Sequence, residues 1–418
     1  MSFSWYEASI KEIASALLNE NIKKNLQKVT EEFVKRKKAL LKKLPYVEEC
    51  RRRAIYAKTW AIEHSDETLK LLKDSIEDLG GFFYYARTKS DVYKLLEEIV
   101  GEGKIVVKSK SMTSEELNIN SYIEKIGSTV YETDLGELIL QLGGEKGSHI
   151  VVPAVHLSRK EVAEIFSKVS GEKLPADTKQ LTLFARKFLR EKFIKADIGI
   201  SGANIIAAES GTIFILENEG NARNATNLPE KHIVIAGLEK IVYSLQDAFS
   251  IISILPPYAT GQQMTCYVSM ITGPSRTADI ELTTVLGVHG PLELHVIIVD
   301  NGRTRILKDP LFKKALLCIR CGTCLNHCPV YRVLGGVFGY RYFGGIGAVW
   351  TYFTESPEKA APIAYMCSLC RLCEIECPME IPIAELVECL REKLKSKGYF
   401  VPELERISEK ALKEKSIF

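Results

Sequence analysis

The sequence lacks any apolar run near the ~18 residues that a membrane span requires. Residues 1–7 contain no apolar signal core. A cytoplasmic protein is therefore expected, with any membrane association made through a partner. An excess of one charge is also missing: 56 Lys and Arg stand against 53 Asp and Glu, a net of +3, which argues against nucleic acid as a partner. The short basic runs at 35–38 and 51–53 read as solvated helix faces. Neither G-x-G-x-x-G nor G-x-x-x-x-G-K-[ST] occurs, so a Rossmann dinucleotide site and an ATPase are both unsupported. Among the histidines, His149, His156, His232, His289 and His295 fall near expected strand ends without metal-ligand spacing and read as structural. No Ser-His-Asp arrangement stands out.

What the sequence does have is cysteine in a fixed rhythm. Eight of the eleven cysteines lie in two runs, Cys318, Cys321, Cys324, Cys328 and Cys367, Cys370, Cys373, Cys377. Each follows C-x2-C-x2-C-x3-C-P, the spacing that holds a [4Fe–4S] cluster in bacterial-type ferredoxins. Three thiolates two residues apart wrap one compact turn around three irons, and the fourth iron takes a sulfur from elsewhere. In two-cluster proteins the fourth Cys of each run ligates the other cluster. The spacing thus assigns Cys318, Cys321, Cys324 and Cys377 to one cluster, and Cys367, Cys370, Cys373 and Cys328 to the second. Pro329 and Pro378 turn the chain away from the clusters. Zinc also accepts C-x2-C pairs, but it takes four ligands per ion, usually from two well-separated pairs. Disulfides are disfavoured in a reducing cytosol. Cys50 and Cys389 are expected to be packing thiols.

The rest of the chain divides by pattern. Residues 1–81 read as helical, with one helix expected from Cys50 to about Leu79 and a stop at Gly80-Gly81. Between 82 and 304, β-branched runs at 104–108, 149–153, 211–216, 232–236 and 294–299 alternate with helical patterns at 114–126 and 159–169. Apolar strands alternating with helices indicate an α/β domain with a largely parallel sheet. Residues 305–418 hold the cysteine runs. The helical patterns around the 38 residues between Cys328 and Cys367 favour an α-helical two-cluster ferredoxin domain. Val333–Trp350, rich in glycine and aromatics, reads as a loop that covers a cluster with apolar surface.

Four stretches of the α/β domain are polar and glycine-rich: 108–112, 199–204 leading into 208–212, 217–221, and 260–263. Glycine lets backbone approach a ligand closely, and tight turns require it equally. The stretch after Lys108 precedes a helix start, where an anion would be favoured.

These residues, taken together, resemble the lactate utilization protein B family. The resemblance runs over nearly the whole chain. It is carried by residues 107–116 (Val-Lys-Ser-Lys-Ser-Met-Thr-Ser-Glu-Glu), 132–137, 148–153, 202–204 with 208–212, 218–221, 269–274, 299–303 (Val-Asp-Asn-Gly-Arg) and both cysteine runs. It implies a lactate-utilization (LUD) domain of the sugar-phosphate isomerase and CoA-transferase-like α/β fold, joined to a helical module with two [4Fe–4S] clusters. In that fold the loops at strand ends form the site, here Lys108, Ser109, Asn204, Glu209 and Asn221. The implied role is an electron-transfer subunit of a system oxidising L-lactate or a related 2-hydroxy acid. A cysteine-rich CCG-domain subunit and a second, cluster-free LUD protein are the implied partners. With no flavin site of its own, the chain also needs a flavin or metal partner to split the two-electron oxidation. Two other readings stay open. The LUD domain is itself an enzyme for a phosphate-, carboxylate- or CoA-type ligand, or the clusters sense redox state. Two departures from the family pattern are expected to matter: a minimal C-terminal extension, and Gly345 where relatives have proline, which would loosen the inter-cluster loop.

Overall fold

The computed structural model describes residues 4–414. Its centre is a six-stranded sheet in which Phe82–Ala86, Glu293–Val299, Lys231–Gly237, Ile198–Ser201, Ile105–Lys108 and Thr129–Glu132 lie side by side. Every neighbouring pair is parallel. The adjacent interior strands Lys231–Gly237 and Glu293–Val299 are buried on both faces, as a sheet covered on both sides demands. On one face Val106, Ile198, Ile233 and Ile297 pack with the helices Lys89–Val100 and Ile119–Lys125. On the other, Val234, Val296 and Ile298 meet Leu72 and Ile76 of Ser65–Asp78. The same face receives a smaller sheet, ordered Ile241–Val242, Ile205–Ala207, Thr212–Glu217, Tyr267–Thr272.

Local chemistry sets the helix boundaries. Thr88 with Asp91, Ser158 with Glu161 and Ser244 with Asp247 form reciprocal capping boxes, which satisfy amides that a helix start would leave bare. The helix expected over 114–126 is two, Met112–Leu117 and Ile119–Lys125, because Asn118 between them is left-handed at φ 56°. The helix expected from Cys50 to Leu79 is likewise two, Tyr46–Glu63 and Ser65–Asp78, joined at His64.

Two expectations need correction. Residues 149–153 form no strand. The His149 ring accepts hydrogen bonds from the amides of Val151 (2.9 Å) and Val152 (3.2 Å), and this folds an apolar run into a turn. The glycines after Phe343 do not lie in a loose loop, because Gly344–Thr354 is a helix. Gly345 packs within it: a Cβ there would stand 3.0 Å from Ile383.

A third core joins distant parts of the chain. Trp5, Leu26 and Val47 of the N-terminal helices pack with Phe312, Trp350 and Leu386. Trp5 also stacks on Tyr365, and the Tyr6 hydroxyl donates to Glu403 at 2.6 Å. The long helix Glu20–Lys43 lies against the short helices Thr323–His327 and Tyr331–Leu334. Cys50 and Cys389 pack against this core as expected. Among the described residues no helix is long and apolar enough to cross a membrane.

Candidate functional site

The two cysteine runs fold alike. In the first, Arg320 and Gly322 have φ of 63° and 77°, and the short helix Thr323–His327 follows. In the second, Leu369 and Arg371 have φ of 54° and 64°, and Leu372–Ile375 follows. The left-handed residues stand two and four places after the first Cys of each run. Three of the four are not glycine, so each run holds backbone conformations that cost roughly 1–2 kcal/mol per residue. Such a turn coils the chain around a centre. Backbone amides then approach the sulfurs: the Tyr331 N–H stands 3.5 Å from the Cys328 sulfur.

The thiols gather in two groups that do not follow the two runs. Cys377 feels Cys321 and Cys318, and Cys324 feels Cys321, Cys318, Cys373 and Cys377, which sets Cys324 on the side where the two groups meet. Cys328 feels Cys367 and Cys370, and Cys373 feels Cys367, Cys328 and Cys370. Burial, with these neighbours adding to it, pushes Cys373 and Cys377 up to about 12. Six of the eight sulfurs, those of Cys321, Cys324, Cys328, Cys367, Cys373 and Cys377, are pushed up in this way and need cationic metal to be held as thiolates. Cys328, Cys367, Cys370 and Cys373, with Cys324 of the other group, line a small cavity closed by Phe338, Gly344 and Gly345. A Cβ on Gly345 would stand 3.7 Å from the Cys367 sulfur. Two thiol quartets, one around a glycine-walled cavity, fit iron–sulfur clusters in donor chemistry and in space. No three His, Cys, Asp or Glu side chains among the described residues converge tightly enough for a single metal ion.

Charged groups scattered along the sequence lock the first run to the α/β sheet. Arg303, fully buried, donates to Glu116 at 2.9 and 3.0 Å and to Glu239 at 2.5 Å. Arg320, inside the first run, reaches Glu239 at 3.2 Å and lies over Trp350 at 3.7 Å. Tyr342 and Asn301 also donate to Glu116, and Lys58 donates to the Glu239 carbonyl. Against the penalty of burial, Arg303 and Arg320 hold Glu239 well below the usual carboxylate range. Sequence reasoning missed this network. Its only trace was Glu116 and Arg303 standing in two of the stretches that carry the family resemblance.

A cavity of about 320 Å³ opens between the sheet and the first run. Loops from all four polar stretches reach it: Ser109–Met112, Gly202–Asn204, Glu217–Asn221, and Thr260 with Gln262. Of the five expected site residues it brings together three, Ser109, Asn204 and Asn221. Asn204 accepts from the Leu216 amide at 2.8 Å, and Asn221 donates to Thr133 at 3.2 Å.

Lys108 and Glu209 lie elsewhere, and here the expectation is corrected. Lys108 is fully buried, 2.7 Å from Glu132 and 3.2 Å from Glu115. Against burial, these carboxylates hold its ammonium above the ordinary lysine value. Its charge is therefore consumed inside the fold. Glu209 accepts from the Leu245 amide at 2.8 Å and so closes the start of Leu245–Thr260. The residues that sequence reasoning missed at the cavity are Lys110, Lys240 and Arg320. Of the histidines read as structural, His232 meets Ser201 at 2.8 Å, His156 meets Ser148 at 2.9 Å and His295 meets Glu293 at 2.9 Å.

A parallel α/β domain closed against two thiol quartets defines the class: an iron–sulfur electron-transfer protein with a LUD domain. The LUD domain model matches residues 69–299 and the 4Fe-4S dicluster domain model residues 314–381. The chain belongs to the lactate utilization protein B family. It is 43% identical to "Lactate utilization protein B" of Shouchella clausii over 83% of this chain and 72% of that one. It is 36% identical to the "Uncharacterized electron transport protein YkgF" of Escherichia coli over 94% of this chain and 79% of that one. A crystal structure of a DUF162 family protein from Deinococcus radiodurans matches 56% of this chain and 98% of its own at 16% identity. Its TM-score of 0.32 is too low to bear on the site.

Proposed function

We propose that the chain is the electron-transfer subunit of a system that oxidises L-lactate, or a related 2-hydroxy acid, to the 2-oxo acid. Cys318, Cys321, Cys324 and Cys377 hold one [4Fe–4S] cluster, and Cys328, Cys367, Cys370 and Cys373 hold the other. The observation that carries this is the exchange of Cys328 and Cys377 between the two thiol groups. Clusters bound there take up and release single electrons.

A 2-hydroxy acid loses two electrons and two protons as it becomes the 2-oxo acid. A flavin- or metal-bearing partner must therefore divide the pair before single electrons enter this chain. The partners of the proposal are a CCG-domain subunit and a second LUD protein without clusters. The names of the relatives support this setting. The chain's own residues do the positioning. The left-handed turns coil amides toward sulfur, and Arg320 ties the first run to the sheet through Glu239.

Anaerobically purified protein should contain about eight irons and eight sulfides per chain. It should reduce an acceptor with lactate only when its partners are added. Stoichiometric zinc without iron would overturn the metal assignment. Lactate oxidation by the isolated chain would overturn its role as a relay.

A further inference from the structure

We propose that the outer face of the N-terminal helix pair, Ser4–Leu18 and Glu20–Lys43, binds an anionic lipid surface. A line of lysines lies on the headgroups, and Leu18, at the turn between the helices, inserts beside them. Helix geometry is the first argument. Leu26, Thr30, Phe33 and Lys37 share one side of Glu20–Lys43 and turn into the protein, Phe33 half-buried and the others buried. Positions 24, 28, 31, 35, 38 and 42 follow the same spacing two residues out of step. At about 100° per residue they stand on the opposite side. All six are exposed, and five are lysine: Lys24, Lys28, Lys35, Lys38 and Lys42. The basic run at 35–38, which reads in the sequence as a solvated face, is part of this line. The first helix is arranged alike. Trp5, Ser9, Ile13 and Ala16 turn inward, whereas Lys11 and Leu18 lie on the opposite, exposed side. Both helices pack against Tyr331–Leu334 and Gly335–Val337, which points their outer sides the same way.

Charge accounting is the second argument. Glu20–Lys43 holds nine basic residues against three acidic ones, in a chain whose net charge is only +3. The rest of the molecule is therefore acidic overall, and this helix concentrates the positive field. Its ion pairs, Lys23 with Glu20, Arg36 with Glu32 and Lys37 with Glu376, use none of the five lysines. Glu7, Glu12 and Glu31 are the acids of the two helices that the described ion pairs leave over, fewer than the lysines facing them. Glu403, beside the start of the first helix, is already held by Tyr6 and Arg406. A row of cations on an outward face is drawn to the negative potential of a bilayer, which acts within about 8 Å of its surface.

The apolar residues select lipid over a nucleic acid, the other extended anion that a lysine row can meet. Leu17 and Leu18 are 44% and 83% exposed at the turn, and Ile10 is exposed on the first helix. A phosphate backbone gives such side chains no contact, whereas the acyl boundary of a bilayer takes them up. Surface binding grows with apolar area and basic charge together. Among the described residues neither helix carries an exposed aromatic ring, so the stacking that single-stranded nucleic acid uses is missing. Glu20–Lys43 also packs against Thr323–His327 in the first cysteine run. Docking through this face would hold the iron–sulfur region beside the lipid and leave the relay role unchanged.

The test is co-sedimentation of the full, cluster-loaded chain with vesicles under anaerobic conditions. One set is phosphatidylglycerol and phosphatidylcholine in equal parts, the other phosphatidylcholine alone, and a labelled DNA duplex serves as the rival polyanion. The chain should sediment with the anionic vesicles only, and come off as salt rises. Lys24→Gln, Lys28→Gln and Lys35→Gln together should weaken binding at least tenfold, since each charge near the surface is worth about fivefold. Leu18→Ser should weaken vesicle binding severalfold. All four positions are exposed, so iron content and circular dichroism should match wild type, which separates this outcome from a failure of the cluster assignment. No sedimentation with the anionic vesicles would overturn the proposal, as would equal sedimentation with both sets. So would tighter binding to DNA than to anionic vesicles at the same salt, or Leu18→Ser binding like wild type.

Discussion

The two thiol quartets share a sequence motif and differ in their surroundings. Around the first stand the buried Lys58 and Lys240 and the largely buried Arg320, all close enough to Cys318 to interact with it. Cys321 is 8% exposed, and the Arg303–Glu116–Glu239 network seals that side against the sheet. Around the second, Cys370 is exposed, and Leu372 and Ile375 stand 41% and 76% exposed beside it. Arg391 and Glu374 act on Cys367, and Arg371 lines the cavity beside it. Spacing decides which atoms bind metal, whereas burial and fixed charge decide potential and access. Of the eight thiols, the first group holds the buried one, Cys321, and the second holds the exposed one, Cys370.

The comparison is tested most severely at the joint. Arg303→Ala leaves Glu116 and Glu239 buried without their main partner, and should destabilise the protein by about 3–5 kcal/mol. Beside the second run, Arg51 pairs with the exposed Glu380, and Arg51→Ala should cost under ~1 kcal/mol. Urea unfolding of both variants measures the difference, and equal losses would erase the distinction between sealed and open surroundings. The next effect is on a single cluster. Cys328→Ser should damage the signal of the second quartet and leave that of Cys318, Cys321 and Cys324 largely intact by electron paramagnetic resonance. Loss of the first alone would contradict the crossed pairing. The smallest effect is electrostatic. Lys240→Met removes a positive charge near Cys318, and a cation favours the more negative, reduced state. The first potential should fall by roughly tens of millivolts, about 59 mV per factor of ten, while the second stays in place. Redox titration of wild type and variant reads both, and a shift of the second alone would break the comparison.

Legibility in the sequence followed the range of the interaction. The cysteine runs were readable because ligand spacing is a property of a few consecutive residues. The four polar stretches pointed to one cavity because glycine and asparagine mark turns wherever they occur. Lys108 misled because its fate depends on register: Glu132 stands opposite it on the next strand, and no local pattern announces that pairing. Lys110, two residues on, escapes the strand and reaches the cavity. The run at 149–153 has strand composition, yet one imidazole accepting two amides overrides propensity. The Arg303 network was invisible for the same reason as Lys108, since hydrogen-bonded members such as Tyr342 and Glu116 lie 226 residues apart.

The N-terminal helices carry a consequence of timing. Lys37 is buried against His327 and Glu376, at 3.0 and 2.5 Å, and Glu376 is 339 residues downstream. At about 5–20 residues per second on the ribosome, the Glu20–Lys43 helix waits roughly twenty seconds to a minute for its partner surface. Leu26, fully buried in the finished protein, spends that interval with nothing of the iron–sulfur region to cover it. The helix Leu245–Thr260, which also packs against Glu20–Lys43, emerges earlier and covers part of it first. The contacts of Lys37 with His327 and Glu376 therefore form late in synthesis.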